Sequence, residues 1–222
     1  MTVLMGAKSI LVVGAHADDM ELGCGGFVAS IIAKGSSVTS LVMTGSPSTD
    51  HEGRVWRDND SASRSSRAAA KVLGGVTVRF LDFDDMAVPY NRKSIHDVNR
   101  VIDEIQPDLI ITHWVGDSNS DHSNTSRTVI TAARRHKNVL SMEPPLSKLN
   151  VGGVFPGCVF ATFGEDVLAM KLEAIRCHSS EMPRLALGNG FEQHGRRNRL
   201  HGSQAGAYAA ELFTPIQITW SP

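Results

Sequence analysis

The chain is predicted to be an α/β protein, a three-layer sandwich with helices on both faces of a mostly parallel sheet. Two observations predict this. Apolar, β-rich runs without polar alternation recur through residues 1–142, as expected of strands buried on both faces. Segments with helical periodicity separate those runs, so the units alternate β, α, β, α and the crossovers favour parallel pairing.

Each element follows from its local pattern. Residues 9–15 (SILVVGA) form an unbroken apolar run and the first strand. Residues 27–33 have helical spacing and stop at Gly35. Residues 38–43 (VTSLVM) are a second strand, closed by Thr44-Gly45-Ser46-Pro47. An Ala-rich helix over 61–73 ends at Gly74-Gly75, and 76–83 is the third strand. In 94–105, Ile95, Val98, Val101, Ile102 and Ile105 fall on one helical stripe. Pro107 then punctuates, and 108–112 (DLIIT) is the fourth strand. A helix over 123–136 and a short fifth strand over 139–142 follow. Beyond them, 158–162 reads as a strand and 165–176 as a helix. Residues 184–201 are rich in Gly, Asn, Arg and His and predict a long loop or lid. A closing helix over 203–212 and a last strand over 216–220 complete the pattern. The expected organisation is a single domain over 1–222, with a core over 1–142 and an irregular, substrate-shaping extension over 143–222.

Composition excludes several classes. The 222 residues carry 22 Lys and Arg against 23 Asp and Glu, a net charge of −1, without the basic excess of a nucleic-acid binder. No apolar run approaches the ~18–20 residues of a membrane span, and no basic leader precedes the first strand. The three cysteines, Cys24, Cys158 and Cys177, form no disulfide framework and point to a reducing, cytoplasmic location.

Open sheets of this class bind ligands beyond the carboxyl ends of their strands. The segments 16–26, 45–59, 84–91 and 113–122 should therefore meet, and they are the most polar stretches of the first half. In 16–26 a buried strand runs straight into His16, Asp18 and Asp19. Adjacent carboxylates at the mouth of a sheet are costly to bury without partners and call for a cation or a catalytic role. His16 and Asp19 are three apart, so one turn can aim both at one point, and imidazole with carboxylate suits Zn²⁺. Asp18 would then stand beside the activated water as a base. Gly23, Gly25 and Gly26 would let the backbone turn tightly against a ligand. In 113–122, His122 can supply a third ligand, Asp121 can orient a neighbouring imidazole, and His113 and Asp117 add polar groups. Three protein ligands with an open position is the catalytic zinc pattern.

These residues carry a resemblance. Ala15-His16-Ala17-Asp18-Asp19 with its downstream glycines is similar to the Ala-His-Pro-Asp-Asp signature of the PIG-L/LmbE-like zinc-dependent N-deacetylases. Thr112-His113-Trp114 with Asp117-x-x-x-Asp121-His122 resembles that family's second motif, and Phe80 to Asp85 resembles its intervening strand and loop. Lys171 to Ile175 and Gly206-x-Tyr208-Ala209-x-Glu211-x-Phe213 also fit, so the match spans nearly the whole chain. The resemblance implies a Rossmann-like, LmbE-like fold and hydrolysis of the acetamide of an N-acetyl amino sugar or sugar conjugate. It implies His16, Asp19 and His122 as ligands of Zn²⁺, or Fe²⁺ in the cell, and Asp18 as general base. It also admits a homo-oligomer, since members often form trimers or hexamers.

Three departures qualify it. Ala17 replaces a proline, which affects loop stiffness. Asn119 stands where many members carry a His that binds the oxyanion or acts as acid. An amide donates a hydrogen bond but carries no charge and shuttles no proton. Either Asn119 does a weaker job beside Asp18 and Asp121, or His113 or His201 replaces the missing imidazole, or the chain is a catalytically impaired sugar- or metal-binding relative. Finally, Ala62 and Ser65 stand where an Arg-x-x-Glu substrate clamp is usual, leaving Arg64 or Arg67 to substitute. Arg54, Trp56, His113, Asp117 and His201 are the candidate substrate contacts, with Asp50, His51 and Arg57 beside them. The glycines after Glu21 mimic a methyltransferase loop, but there the strand would run directly into glycine rather than through His16, Asp18 and Asp19.

Overall fold

The computed structural model describes residues 6–45, 47–49, 52, 55–144, 153–178 and 190–219. Its elements in chain order are β1 (Ser9–Gly14), α1 (Asp19–Ile32), β2 (Ser37–Thr44), β3 (Ser48–Thr49), β4 (Val55–Arg57), α2 (Asn59–Val72), β5 (Thr77–Phe83), α3 (Arg92–Ile105), β6 (Leu109–Thr112), α4 (Ser120–Ala132), β7 (Asn138–Met142), β8 (Val159–Phe163), α5 (Glu165–Arg176), α6 (Gly190–Gln204) and β9 (Ala209–Ile218). Seven strands form one sheet in the order β5-β2-β1-β6-β7-β9-β8, and β3 pairs with β4 in a separate hairpin. The pairings from β5 to β7 are parallel; β9 runs antiparallel to both β7 and β8. The fold is the expected mostly parallel α/β sandwich.

The central strands are apolar throughout because both faces are covered. Ile10 and Val12 point into one core with α1, α2 and α5, while Leu11 and Val13 point into the other with α3 and α4. All four are fully buried. Chain order reverses at β1, which lies between β2 and β6. That reversal opens a crevice at the carboxyl ends of β1 and β6, where this class of sheet binds ligands.

Side chains start the helices where expected. Asp58 caps α2 by accepting from Ser61 N, and Asn91 with Ser94 forms a capping box on α3. Gln106, left-handed at φ 48°, closes α3 just before Pro107.

Four expectations need correction. The first helix begins at Asp19, not at residue 27, and takes in the glycines expected to face a ligand. It is kinked at Cys24, where φ is −144°. A Cβ on Gly23 would run into Met142, and one on Gly26 would meet the Phe163 ring at 2.5 Å. These glycines therefore serve close packing. Second, the loop expected over 184–201 is helical from Gly190 onward; 184–189 lie outside the described residues. Its inward side chains are polar (His194, Asn198 and His201 are all buried), so no apolar stripe announces it. Third, the helix expected over 203–212 is replaced by the end of α6 and by β9, which starts at Ala209 and absorbs the expected last strand. Gly202 permits this, because a Cβ there would collide with the Ala209 backbone at 2.5 Å. The described part of the extension thus holds β8, α5, α6 and β9, while residues 153–158 belong to no helix or strand. Fourth, the 45–59 segment contains the β3–β4 hairpin.

The break in α1 is repaired from outside. Gly26 N and Phe27 N donate to the two carboxylate oxygens of Glu211, each at 2.8 Å. Leu22 O accepts from Lys171 Nζ at 3.0 Å, and that ammonium lies 2.6 Å from Glu211 Oε1. Lys171 is fully buried and Glu211 nearly so. The pair satisfies donors and an acceptor that an unbroken helix would have satisfied itself. Among the described residues, no helix is long and apolar enough to cross a membrane.

Candidate metal centre

His16 leaves the end of β1, Asp19 opens α1, and His122 sits in the first turn of α4. The crevice brings their donor atoms together. His16 Nδ1 is 3.2 Å from His122 Nε2. One Asp19 oxygen lies 3.5 Å from His16 Nδ1, and the other lies 3.3 Å from His122 Nε2. These are separations between groups that all present lone pairs, except where a ring nitrogen takes a proton. A tetrahedral site with metal–ligand bonds of ~2.0–2.2 Å has ligand–ligand edges of ~3.3–3.6 Å. The two imidazole nitrogens at 3.2 Å and the 3.3 Å from His122 Nε2 to Asp19 Oδ1 lie close to that edge, so the residues fit a tetrahedral cation such as Zn²⁺.

The outward atom of each of these residues is also held. Asp117 Oδ2 accepts from His122 Nδ1 at 2.7 Å. His16 Nε2 faces Asp121 Oδ2 at 3.3 Å and Asp85 Oδ1 at 3.2 Å. His113 Nε2 donates to Asp19 Oδ2 at 2.9 Å, and His16 N donates to the same oxygen at 2.6 Å. Two further groups, His113–Asp117–His122 and His16–Asp85–Asp121, also bring three such atoms together. In them His122 Nδ1 bonds Asp117 and His16 Nε2 faces Asp85 and Asp121, contacts that fix the tautomers and aim the inner nitrogens.

The electrostatics run the same way. Burial alone would lower the pKa of His122, but the Asp19 charge and the Asp117 hydrogen bond outweigh it and raise the value to about 9. Burial likewise opposes protonation of His16, yet Asp121, Asp19 and Asp85 lift it well above the usual imidazole value. Burial would raise Asp19; the His122 and His113 charges and their hydrogen bonds instead hold it well below the carboxylate range. His113 is lowered by its burial and by His122, whose ring stacks on it at 4.0 Å. Protons thus gather where a cation would be held.

The remaining expected residues fall in different places. Asp18, buried, is the cap residue of α1 but does not cap it with its side chain. Asn119 caps α4: its Oδ1 accepts from Asp121 N at 2.9 Å and His122 N at 3.4 Å. Asp121 accepts from Met86 N and Val88 N and so ties the loop after β5 to the site. His113 and Asp117 were expected as substrate contacts; both are buried behind the triad, each spending a polar atom on one of its members. Both ring nitrogens of His201 are engaged, with Glu143 at 2.9 Å and Gln204 at 3.1 Å. Arg64 and Arg67 are solvated on the exposed face of α2, bonded to Ser61 and Ser63. Asp50, His51, Arg54 and the Trp56 side chain lie outside the described residues, whereas Arg57 is buried.

Three features escaped the sequence reading. Asp85 joins His16, and its signal was a pair of acids at the end of a strand on the ligand side of the sheet. Glu21 and His178, both fully buried, face each other at 3.7 Å, and both sense the Asp18 charge. Met86 adopts φ 62° with its side chain 78 % exposed, a left-handed conformation that costs an L-residue ~1–2 kcal/mol.

The chain is similar to several known proteins. Residues 11–133 match the family model PIG-L, described as GlcNAc-PI de-N-acetylase. An uncharacterized deacetylase of Escherichia coli K12, YaiS, is 30% identical over 180 residues, covering 78% of this chain and 91% of that protein. The fold superposes on the N,N'-diacetylchitobiose deacetylase of Pyrococcus horikoshii with a TM-score of 0.82 at 19% identity, covering 97% of this chain and 86% of the other. It also superposes on a 4-carboxy-2-hydroxymuconate hydratase of Pseudomonas putida KT2440, with a TM-score of 0.78 at 19% identity, covering 97% and 98%. Fold alone therefore does not set the reaction, and the argument for function rests on the site.

Proposed function

The chain belongs to the PIG-L family, and from that premise we propose that it is a zinc-dependent hydrolase removing the N-acetyl group from an N-acetylated amino sugar or sugar conjugate. The observation that carries this reading is the triangle of His16 Nδ1, His122 Nε2 and the Asp19 carboxylate. Its edges suit a tetrahedral ion, and the outer atom of every member is already bonded. The family description and the deacetylase relative supply the reaction class.

His16, Asp19 and His122 would hold the ion, which when bound acidifies water and polarises the acetamide carbonyl. The chain's own groups do the rest. Asp18 takes a proton from the attacking water and returns it to the departing nitrogen, so the amine leaves neutral, and the acetic acid formed gives its remaining proton to solvent and departs as acetate. Asp117 and Asp121 keep the two imidazoles turned inward through turnover. Asn119 has its oxygen committed to α4, which leaves its amide N–H₂ as the group that can donate to the developing oxyanion. No proton need pass through that residue, because Asp18 serves as both base and acid.

The test is acetate release from a panel of N-acetyl sugars by zinc-repleted protein and by its Asp18→Asn variant. The reading expects turnover that falls ~10²–10⁴-fold in the variant while metal content is kept. No acetate from any member of the panel would refute it.

A further inference from the structure

Glu21 and His178 are a further buried charged pair beside α1, and the fold does not account for them. Glu21 lies in the first turn of α1, and His178 directly follows the cap of α5. Both side chains are fully buried, and Glu21 Oε2 stands 3.7 Å from His178 Nε2. That separation is too long for a hydrogen bond. Among the described residues, no hydrogen bond reaches either Glu21 carboxylate oxygen or either His178 ring nitrogen. The Lys171–Glu211 pair, by contrast, is bonded to the backbone of α1 on both sides of its kink. Buried ionisable groups left without hydrogen bonds are costly. Apolar residues of similar volume would often join two helices at least as well.

What surrounds the pair gives it a use. Leu22 N donates to Asp18 O at 3.1 Å, so the helical turn begins at Asp18, and Glu21 follows three residues later on the same side. Asp18 is buried as well, and its side chain does not cap α1. Burial opposes charge on His178, but Glu21 and Asp18 outweigh it and raise its pKa, while Arg57, buried on β4, acts the other way. The first turn thus shares a buried space with an imidazole from α5 and a guanidinium from the β3–β4 hairpin. Asp19, in the same turn, is held separately: His16 N and His113 Nε2 lie 2.6 and 2.9 Å from its Oδ2. His178 is itself tied to α5, where its N donates to Ile175 O at 3.1 Å.

We propose that Glu21 and His178 are positioning residues for Asp18: the imidazole, fixed on α5, draws Glu21 toward it and so sets the rotation of the turn that aims Asp18 at the attacking water. The proposal rests on the deacetylase reading, in which Asp18 is the base.

The test is steady-state acetate release, on whichever N-acetyl sugar the wild type turns over, by zinc-repleted Glu21→Met/His178→Leu, by Asp18→Asn and by the triple variant. The double variant removes both charges and strands neither. Its melting temperature should equal or exceed that of the wild type, and its zinc content should be unchanged. KM should stay within ~2-fold while kcat falls ~10–100-fold, the signature of a displaced base. In the Asp18→Asn background the same two substitutions should change the residual kcat less than ~3-fold, because groups acting as a unit are not additive. His178→Gln, close in size and still polar, is the second variant and should lower kcat with KM and zinc kept. An unchanged kcat in both folded variants, or an equal loss in both backgrounds, would overturn the proposal. Loss of zinc would overturn it by assigning the pair to Asp19, and failure of the double variant to fold would do so by making the pair structural. Absence of acetate release by the wild type would instead be failure of the deacetylase reading, and the proposal would fall with it.

Discussion

Two sets of buried charged groups touch α1, and they obey opposite rules. At the kink, Lys171 and Glu211 form a closed set: one cation, one anion, and backbone partners for nearly every remaining donor and acceptor. At the first turn, Asp19 meets His16 and His122 with inward lone pairs facing one another at 3.2–3.5 Å. The outward atoms of that triangle are all bonded. A closed set is a structural splice; an open set, bonded outside with its inner donor atoms converging, suits a cation.

Breaking the open set should have the largest effect on function. His122→Ala or Asp19→Ala should abolish metal retention and acetate release, while the far-ultraviolet circular dichroism spectrum stays that of the wild type. A variant that keeps a full equivalent of metal would remove that residue from the ligand set.

Breaking the closed set should instead cost stability. Lys171→Met strands a buried carboxylate and should lose ~3–5 kcal/mol by denaturant unfolding. Replacing a buried ion pair with apolar residues is often neutral, but Lys171→Met with Glu211→Leu should not be. It would orphan Gly26 N, Phe27 N and Leu22 O at ~1–3 kcal/mol each. A double variant as stable as wild type would show that the kink does not need the pair.

The comparison also has a pH signature. In metal-stripped protein, the His122 value near 9 exceeds the ordinary imidazole value, so its protonated form stabilises the fold. That contribution is complete below pH ~6.5 and is lost as pH rises through about 9. His16 acts in the same direction. Stripped protein should therefore lose melting temperature between pH ~6.5 and 9. Metal binding at pH 7 should release about two protons, read by calorimetry in buffers of different ionisation enthalpy. Zero release would mean that the two imidazoles are not the ligands.

Asn119 should give the smallest effect. As the cap of α4 it is worth ~1 kcal/mol, so Asn119→Ala should cost about that and Asn119→Ser almost nothing. Loss of all activity in the serine variant, with stability intact, would make the amide N–H₂ indispensable to the chemistry.

The same contrast explains what could be read from sequence. The strands through Ile10–Val13 and Leu109–Ile111 were legible because burial on both faces leaves only apolar residues. His16, Asp19 and His122 were legible as candidates because each follows a strand at the ligand end of a predicted parallel sheet. The first half of α1 was not, since Gly23-Cys24-Gly25-Gly26 has poor helix propensity and is held by Lys171 and Glu211, more than a hundred residues away. Helix α6 was hidden because its buried residues His194, Asn198 and His201 are polar. Asp85 and the inward placement of His113 depended on how four loops meet, which no local pattern encodes.

The most direct test of the central claim is elemental mass spectrometry of purified, zinc-repleted protein beside its His16→Ala variant. The account predicts about one equivalent of zinc or iron in the wild type and none in the variant. No metal in the wild type, or equal metal in both, would contradict it.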